Sequence, residues 1–303
     1  MVTIGMFDGV HVGHQSLIKH LVKESQQSSL ENVVVTFWPH PKQVLGTKNE
    51  EVKLLSTLQE KIDEIKRLGV DHLVIVDFTT SFSKLTAEQF IKNILKNKLL
   101  SQRLLLGYNH HFGSDGRNTE ECKHIAEQYG ISASIYSKRS IESIEKLSSS
   151  VIRKYILNGE MQKALVSLGR PYCFSGKVVD GKKIGRTIGY PTANISEIAV
   201  DKILPCDGVY AVMLECNYMN YGGVLNIGVN PTFGENEEKT LEVNIFDFDG
   251  DIYGKQVVVN VFQMLRKEQK FNTLTDLKNQ IANDVLKAKE LLFDITNGTL
   301  YKK

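Results

Sequence analysis

His11 and His14, three positions apart, close the run Gly5-Met6-Phe7-Asp8-Gly9-Val10-His11-Val12-Gly13-His14. Leu17, Ile18 and Leu21 follow at helical spacing, so the run sits at a helix N-terminus. Such an end offers unbonded backbone N–H groups and positive dipole potential to a phosphate. The glycines let the backbone approach, and imidazoles one turn apart face the same oxygens. This is a phosphate grip without a lysine. It is not a Walker loop, since no Gly-Lys-Ser/Thr follows, nor the Gly-x-Gly-x-x-Gly fingerprint of a dinucleotide fold. By themselves the histidines read equally as partly exposed helix-start residues, or as a metal pair short of a third ligand.

Two further groups carry chemical potential. Ser148, Ser149 and Ser150 stand before a segment that reads as a helix from Ser150 to Leu157 and contains Arg153. Alone, a serine triplet is a linker; at a helix start its hydroxyls cap the helix and hold phosphate. Farther on, alternation puts Leu241, Val243 and Ile245 on one strand face and Glu242 and Asn244 on the other, for which a solvated glutamate is the ordinary reading.

The elements that must position these residues fall into two patterns. In the first half, β-branched runs at Val2 to Ile4, Val33 to Phe37, Leu73 to Val76, Leu104 to Leu106 and Ser134 to Tyr136 alternate with amphipathic stretches. That alternation predicts a parallel sheet, with ligands outside the carboxyl ends of its strands. Capping-box pairs Thr57/Glu60 and Thr86/Gln89 open two helices, Gly69 can close the first, and Gly130 closes another over Cys122 to Tyr129. After Gly169-Arg170-Pro171 come short strands: Ser175 to Val179, Val209 to Leu214, Gly223 to Ile227, Leu241 to Phe246 and Val257 to Phe262. These predict a small antiparallel barrel, and Leu277, Ile281, Val285, Ala288 and Leu292 predict a terminal helix packed on it. The expected architecture is two domains, an α/β parallel-sheet domain of Rossmann-like type over 1–160 and a β-barrel domain with a C-terminal helix over 170–295.

A net charge of +2 is too small to signal a nucleic-acid or membrane partner, so small ligands are expected. The four cysteines form no Cys-x-x-Cys pair and no apolar stretch reaches spanning length, which predicts a cytoplasmic protein with no signal peptide. A monomer or weak homo-oligomer is expected.

The decapeptide ending at His14, together with Ser148 to Arg153, resembles the two signature elements of the HxGH nucleotidyltransferase superfamily. Thr36-Phe37-Trp38-Pro39-His40-Pro41 and Gly107-Tyr108-Asn109-His110-His111-Phe112-Gly113 resemble the flavin-binding loops of the FMN adenylyltransferase module of bacterial FAD synthetases. Asn109 and His110 depart from the family's usual acid and aromatic. The leader before the first strand is shorter than is usual there, which points to a native start upstream. The resemblance implies that Gly5, Phe7, Gly13, His14, Ser148, Ser149, Ser150 and Arg153 bind ATP, that Pro39, His40, Pro41 and Asn109 bind flavin, and that His11 and His14 are catalytic. The implied reaction is attack of the FMN phosphate on the α-phosphorus of ATP, giving FAD and pyrophosphate.

In the second half, Gly189-Tyr190-Pro191-Thr192-Ala193-Asn194 resembles the Gly-x-Pro-Thr-Ala-Asn signature of riboflavin kinases. Pro205 to Ala211, Asn226 to Phe233, Leu241 to Val243 and Tyr253-Gly254 extend the likeness. Nearly the whole chain is therefore similar to the bifunctional riboflavin kinase/FMN adenylyltransferases. This implies that Gly176, Gly185, Gly189, Pro191, Thr192 and Asn194 bind a second ATP, and that Glu242 is the base acting on the riboflavin 5′-hydroxyl. A hydroxyl and an amide two residues apart on an extended segment point the same way, so Thr192 and Asn194 suit one Mg²⁺ and its phosphates. The expected substrates are riboflavin, FMN and ATP. The competing readings are another HxGH nucleotidyltransferase, which the attached barrel argues against, and a non-catalytic flavin-binding protein, which the joint presence of His14, Arg153, Thr192, Asn194 and Glu242 disfavours.

Overall fold

The computed structural model describes residues 1–46, 52–108, 111–137, 147–181, 185, 188–229 and 239–296, apart from the side chain of residue 296. By packing, the chain divides into two units, Met1–Ser149 and Ser150–Lys303.

In the first unit five parallel strands, β1 (Val2–Ile4), β2 (Val33–Trp38), β3 (His72–Asp77), β4 (Arg103–Gly107) and β5 (Ser132–Tyr136), lie in the order β3-β2-β1-β4-β5. Alternation explains how this sheet buries both faces. Val2, Ile4, Val35, Leu104 and Leu106 point to one side, where Phe90, Ile91, Leu95, Cys122 and Ala126 meet them. Val34 and Leu105 point to the other, against Leu17, Ile18, Leu21 and Ile65. The first set of partners lies on α4 (Ala87–Phe90), its π-helical continuation Ile91–Lys96, and α5 (Thr119–Gln128); the second lies on α1 (Val12–Gln27) and α3 (Leu58–Arg67). A short α2 (Pro41–Leu45) follows β2. The strand order reverses direction at β1, so the switch point where such sheets bind ligands opens beside the loop that carries the histidines.

Both predicted capping boxes form: Thr57 Oγ1 accepts from Glu60 N at 3.2 Å while Glu60 Oε2 accepts from Thr57 N at 2.9 Å, and Thr86 and Gln89 repeat the exchange.

The second unit begins with α6 (Ser149–Leu157), whose first residue closes the first unit, and α7 (Met161–Leu168). Six antiparallel strands then close into a barrel in the order β10-β7-β6-β11-β8-β9. They are β6 (Tyr172–Val179), β7 (Thr192–Ser196), β8 (Gly208–Cys216), β9 (Met219–Val229), β10 (Lys239–Ile245) and β11 (Gln256–Arg266). The barrel was expected, but β7 was not. Tyr210, Val212 and Leu214 fill its interior, while Val209, Ala211 and Val224 on the outside pack against Val285 and Ala288 of α8 (Leu274–Thr296). The predicted helical stripe also carries buried Asp284, which accepts from Arg266 Nε at 2.9 Å and Gln280 Nε2 at 2.9 Å and so ties α8 to β11.

Candidate active sites

In the first unit the loop after β1 is held in an uncommon shape. Phe7, Gly9 and Val10 have positive φ, of 48°, 78° and 38°. Two of these are side-chain-bearing residues in a region that costs free energy, as is found where a loop must face a ligand. At Gly9 any β-carbon would lie 2.7 Å from Leu55 Cδ1, so only glycine fits there. The loop is anchored by Asp8, buried, whose carboxylate accepts from Leu55 N at 3.0 Å and Ser56 N at 3.2 Å. Ser56 Oγ in turn accepts from Gly9 N at 3.0 Å. Sequence reading missed Asp8 as an anchor because its partners stand 47 and 48 residues away.

His11 is the N-cap of α1, its Nδ1 accepting from His14 N at 3.3 Å. An accepting Nδ1 puts the proton of a neutral His11 on Nε2, leaving that edge a donor. The His14 ring stacks on His11 with centroids 3.6 Å apart and meets Phe7 edge-on. Burial, then His11, then the Lys61 ammonium hold His14 well below the usual histidine range, so it is neutral at pH 7. Among the described residues its buried Nδ1 has no hydrogen-bond partner, a donor or acceptor that a ligand could satisfy. Gly5 extends β1 over the Phe7 ring, and Gly13 lies in the first turn of α1 against His11 and Leu147.

Ser149 Oγ donates to the Asp8 carbonyl at 2.9 Å, with Ser148 and Ser150 on either side of it. Arg153 lies half-buried four residues on in α6. Thr36 Oγ1 donates to the Met6 carbonyl at 3.2 Å, setting the end of β2 next to the loop. There Pro39 is exposed, and His40 caps α2 through Nδ1 with Pro41 as its first residue. Phe37 stands among Phe78, Phe82 and Phe90, an aromatic group that sequence reading missed because it draws on three separate segments. Lys61 was also missed; it is buried, with its ammonium 5.3 Å from the Trp38 ring centroid. Its signal was a lysine inside the apolar stripe Leu58, Lys61, Ile65, Leu68. Asn109 lies outside the described residues.

In the barrel, strand register builds the site. Glu242 on β10 pairs with Asn194 on β7 and with Asn226 on β9, so the three side chains share a face. Leu241 and Val243 point inward and are buried, which puts Glu242 outside, as alternation predicted. Thr192 Oγ1 donates to Glu242 Oε2 at 3.0 Å. Gly185 and Gly181 allow close approach, since β-carbons there would meet Tyr190 O at 2.2 Å and Asn194 Nδ2 at 2.0 Å. Gly176 lies in β6, and Gly189 turns the chain with φ of 87° ahead of Pro191. A cleft of about 410 Å³ lined by Pro191, Thr192, Ala193, Phe248, Asp249 and Tyr253 opens beside this face, within the size range of small-ligand sites. Asn226 was not singled out, because only register brings it across from Glu242.

A parallel sheet with a histidine-bearing loop at its switch point, followed by a closed barrel with a carboxylate, hydroxyl and amide on one outer face, is the architecture of a two-unit transferase. Residues 1–151 match the FAD synthetase family and residues 168–292 the riboflavin kinase family. The bifunctional riboflavin kinase/FMN adenylyltransferase of Bacillus subtilis is 38% identical over 287 residues, covering 94% of this chain and 90% of that one. The Escherichia coli K12 protein of the same name is 35% identical, with 96% and 92% covered. A solved Streptococcus pneumoniae structure, described as a macrolide-efflux protein, aligns with a TM-score of 0.86 at 34% identity, covering 95% of this chain and 93% of that one. The chain belongs to the bifunctional riboflavin kinase/FMN adenylyltransferase family: it phosphorylates riboflavin with ATP to FMN, and adenylylates FMN with ATP to FAD and pyrophosphate. Among the described residues no helix is long and apolar enough to cross a membrane.

Proposed function

We propose that the two reactions are carried by separate residue sets, adenylyl transfer within 1–160 and riboflavin phosphorylation within 170–295. The observation that carries this reading is the meeting of Thr192, Asn194 and Glu242, from two separate segments, on one outer face of the barrel with the Thr192–Glu242 hydrogen bond at 3.0 Å.

In the kinase step the nucleophile is an alcohol, which is weak at neutral pH, so a base is needed. Glu242 takes the proton of the riboflavin 5′-hydroxyl, and the Thr192 hydrogen bond orients its carboxylate. ATP lies along Gly176, Gly185, Gly189 and Pro191. Thr192 and Asn194 with Glu242 form a set of hard oxygen donors, the kind that Mg²⁺ takes. Thr192 and Asn194 would hold the Mg²⁺, which when bound would supply charge neutralisation at the ATP phosphates.

In the adenylyl step the nucleophile is a phosphate, already ionised, so positioning and charge neutralisation carry the rate. Gly5, Phe7, Gly13, Ser148 and Ser149 shape the cradle for the ATP phosphates, and the sequence resemblance adds Ser150 and Arg153 to the ATP-binding set. His11 and neutral His14 donate N–H groups to the charge that builds on the leaving pyrophosphate, and Pro39, His40, Pro41 and Asn109 receive the flavin. The protein is further proposed to act in the cytoplasm, as a monomer or weak homo-oligomer. No disulfide joins its four cysteines, as that compartment favours.

The test assays FMN formation from riboflavin and FAD formation from supplied FMN separately. Thr192→Val is expected to raise the Mg²⁺ concentration needed for FMN formation and to leave FAD formation unchanged. A barrel substitution that slows FAD formation from FMN in a folded protein would overturn the division.

A further inference from the structure

Lys61 is a buried cation that neither motif set accounts for. It sits in the apolar stripe of α3 at 1% exposure, between Leu58 and Ile65. A lysine at such a position is rare unless it is paired, because the charged amine loses its hydration. Its ammonium lies over the Trp38 ring, 5.3 Å from the centroid. Among the described residues no hydrogen bond or ion pair closes on it. The acid within electrostatic reach is Asp8, whose carboxylate already serves the Leu55 and Ser56 amides. On the other side the ammonium is close enough to His14 to disfavour its protonation. Burial lowers the Lys61 amine to about 8, with Asp8 opposing the shift, so the protonated form still predominates at pH 7. The chain thus keeps a positive charge between the end of the flavin loop at Trp38 and the phosphate loop at Asp8 and His14. An anion entering between those loops would find it preorganised.

We propose that Lys61 binds the 5′-phosphate of FMN in the adenylyltransferase unit, aligning it between the flavin ring and the bound ATP. The inference rests on the assignment of the loop after β1 to ATP and of the loop after β2 to flavin. The phosphate of FMN fits this place because it is the group that joins those two loops in the reaction. An ammonium there offsets part of the repulsion between two phosphate-bearing reactants and leaves the phosphate oxygen free to attack.

The experiment uses the full chain and follows FAD formation from FMN and ATP. KM is measured for each substrate, together with inhibition by lumiflavin, which has the flavin ring but neither ribityl chain nor phosphate. Lys61→Met is expected to raise KM for FMN about tenfold or more, with KM for ATP and lumiflavin inhibition within about twofold of the parent. Lys61→Arg, which keeps a donor charge, recovers part of the loss. Lys61→Gln is read the same way as the methionine variant, and thermal unfolding of each variant checks the fold. An unchanged KM for FMN overturns the proposal. So does a rise in KM for ATP alone, which would give the charge to the nucleotide. Equal weakening of FMN and lumiflavin also overturns it, since Lys61 would then only prop Trp38. His40→Asn keeps a good helix cap but removes the imidazole, and is expected to weaken lumiflavin inhibition. If it does not, the flavin-loop assignment fails, whereas selective loss of FMN over ATP in the Lys61 variants would still place the charge on the FMN phosphate.

Discussion

The two residue sets proposed for phosphate chemistry are built by different structural means. In the sheet unit the candidate groups stand on a loop with positive φ at Phe7, Gly9 and Val10, braced from below by Asp8. In the barrel they stand on regular strands, and their meeting depends on register: Glu242 opposite Asn194 and Asn226. The difference fits the nucleophile proposed for each set. An ionised phosphate needs charge neutralisation, which backbone amides at a helix start and imidazole N–H groups supply. An alcohol needs a base held in one orientation, which a strand carboxylate with a hydroxyl partner supplies. The loop is therefore sensitive to changes of backbone shape, and the barrel to removal of a single functional group.

Glu242→Gln is the sharpest break of that comparison. It keeps size and most hydrogen bonding but removes basicity, so FMN formation should fall by about two to four powers of ten while FAD formation from FMN barely changes. Product separation after each half-reaction reads both, and near-native riboflavin phosphorylation would leave Glu242 a solvated strand residue. His14→Ala should cut FAD formation by about a hundredfold and spare riboflavin phosphorylation. Loss of both activities in that variant would indicate a folding defect instead.

Smaller effects test how each site is supported. Gly9→Ala meets both the strained φ of 78° and the 2.7 Å approach to Leu55, and should destabilise the first unit by about 1–3 kcal/mol in denaturant unfolding. Thr57→Ala removes one half of the capping box at the start of α3, at a cost of about 1 kcal/mol. The pH dependence is smaller again near neutrality. His14 stays neutral in the fold, whereas in the unfolded chain it binds a proton below about pH 6.5. The unfolded state then holds more protons, so stability falls as pH drops through that range, by at most about 1.4 kcal/mol per pH unit from this group. His14→Gln should flatten that part of the curve.

Much of this was legible in the sequence because local rules and tertiary structure agree. The five parallel strands, the capping boxes at Thr57 and Thr86, and the inward and outward faces of β10 all follow from period and cap chemistry. What escaped reading depends on distant partners. The strand β7 is five residues long and has Ala and Asn, which have little strand preference, at its second and third positions, and it is held by pairing to β6 and β10. Asp8 acquires its anchoring partners across 47 residues, and the Phe37, Phe78, Phe82 and Phe90 group assembles from separate segments. Lys61 was missed for a different reason: its spacing with Leu58, Ile65 and Leu68 puts it on the apolar face of α3, but a lysine is ordinarily read as exposed.

The most direct test of the division between units is a fragment of residues 150–303, which keeps α7 with the strands β6 and β11 it packs on. Incubated with riboflavin, ATP and Mg²⁺, it should form FMN and stop there, and it should form no FAD when FMN is supplied. FAD from this fragment, or no FMN from a fragment that is folded, would contradict the assignment of the two chemistries to separate units.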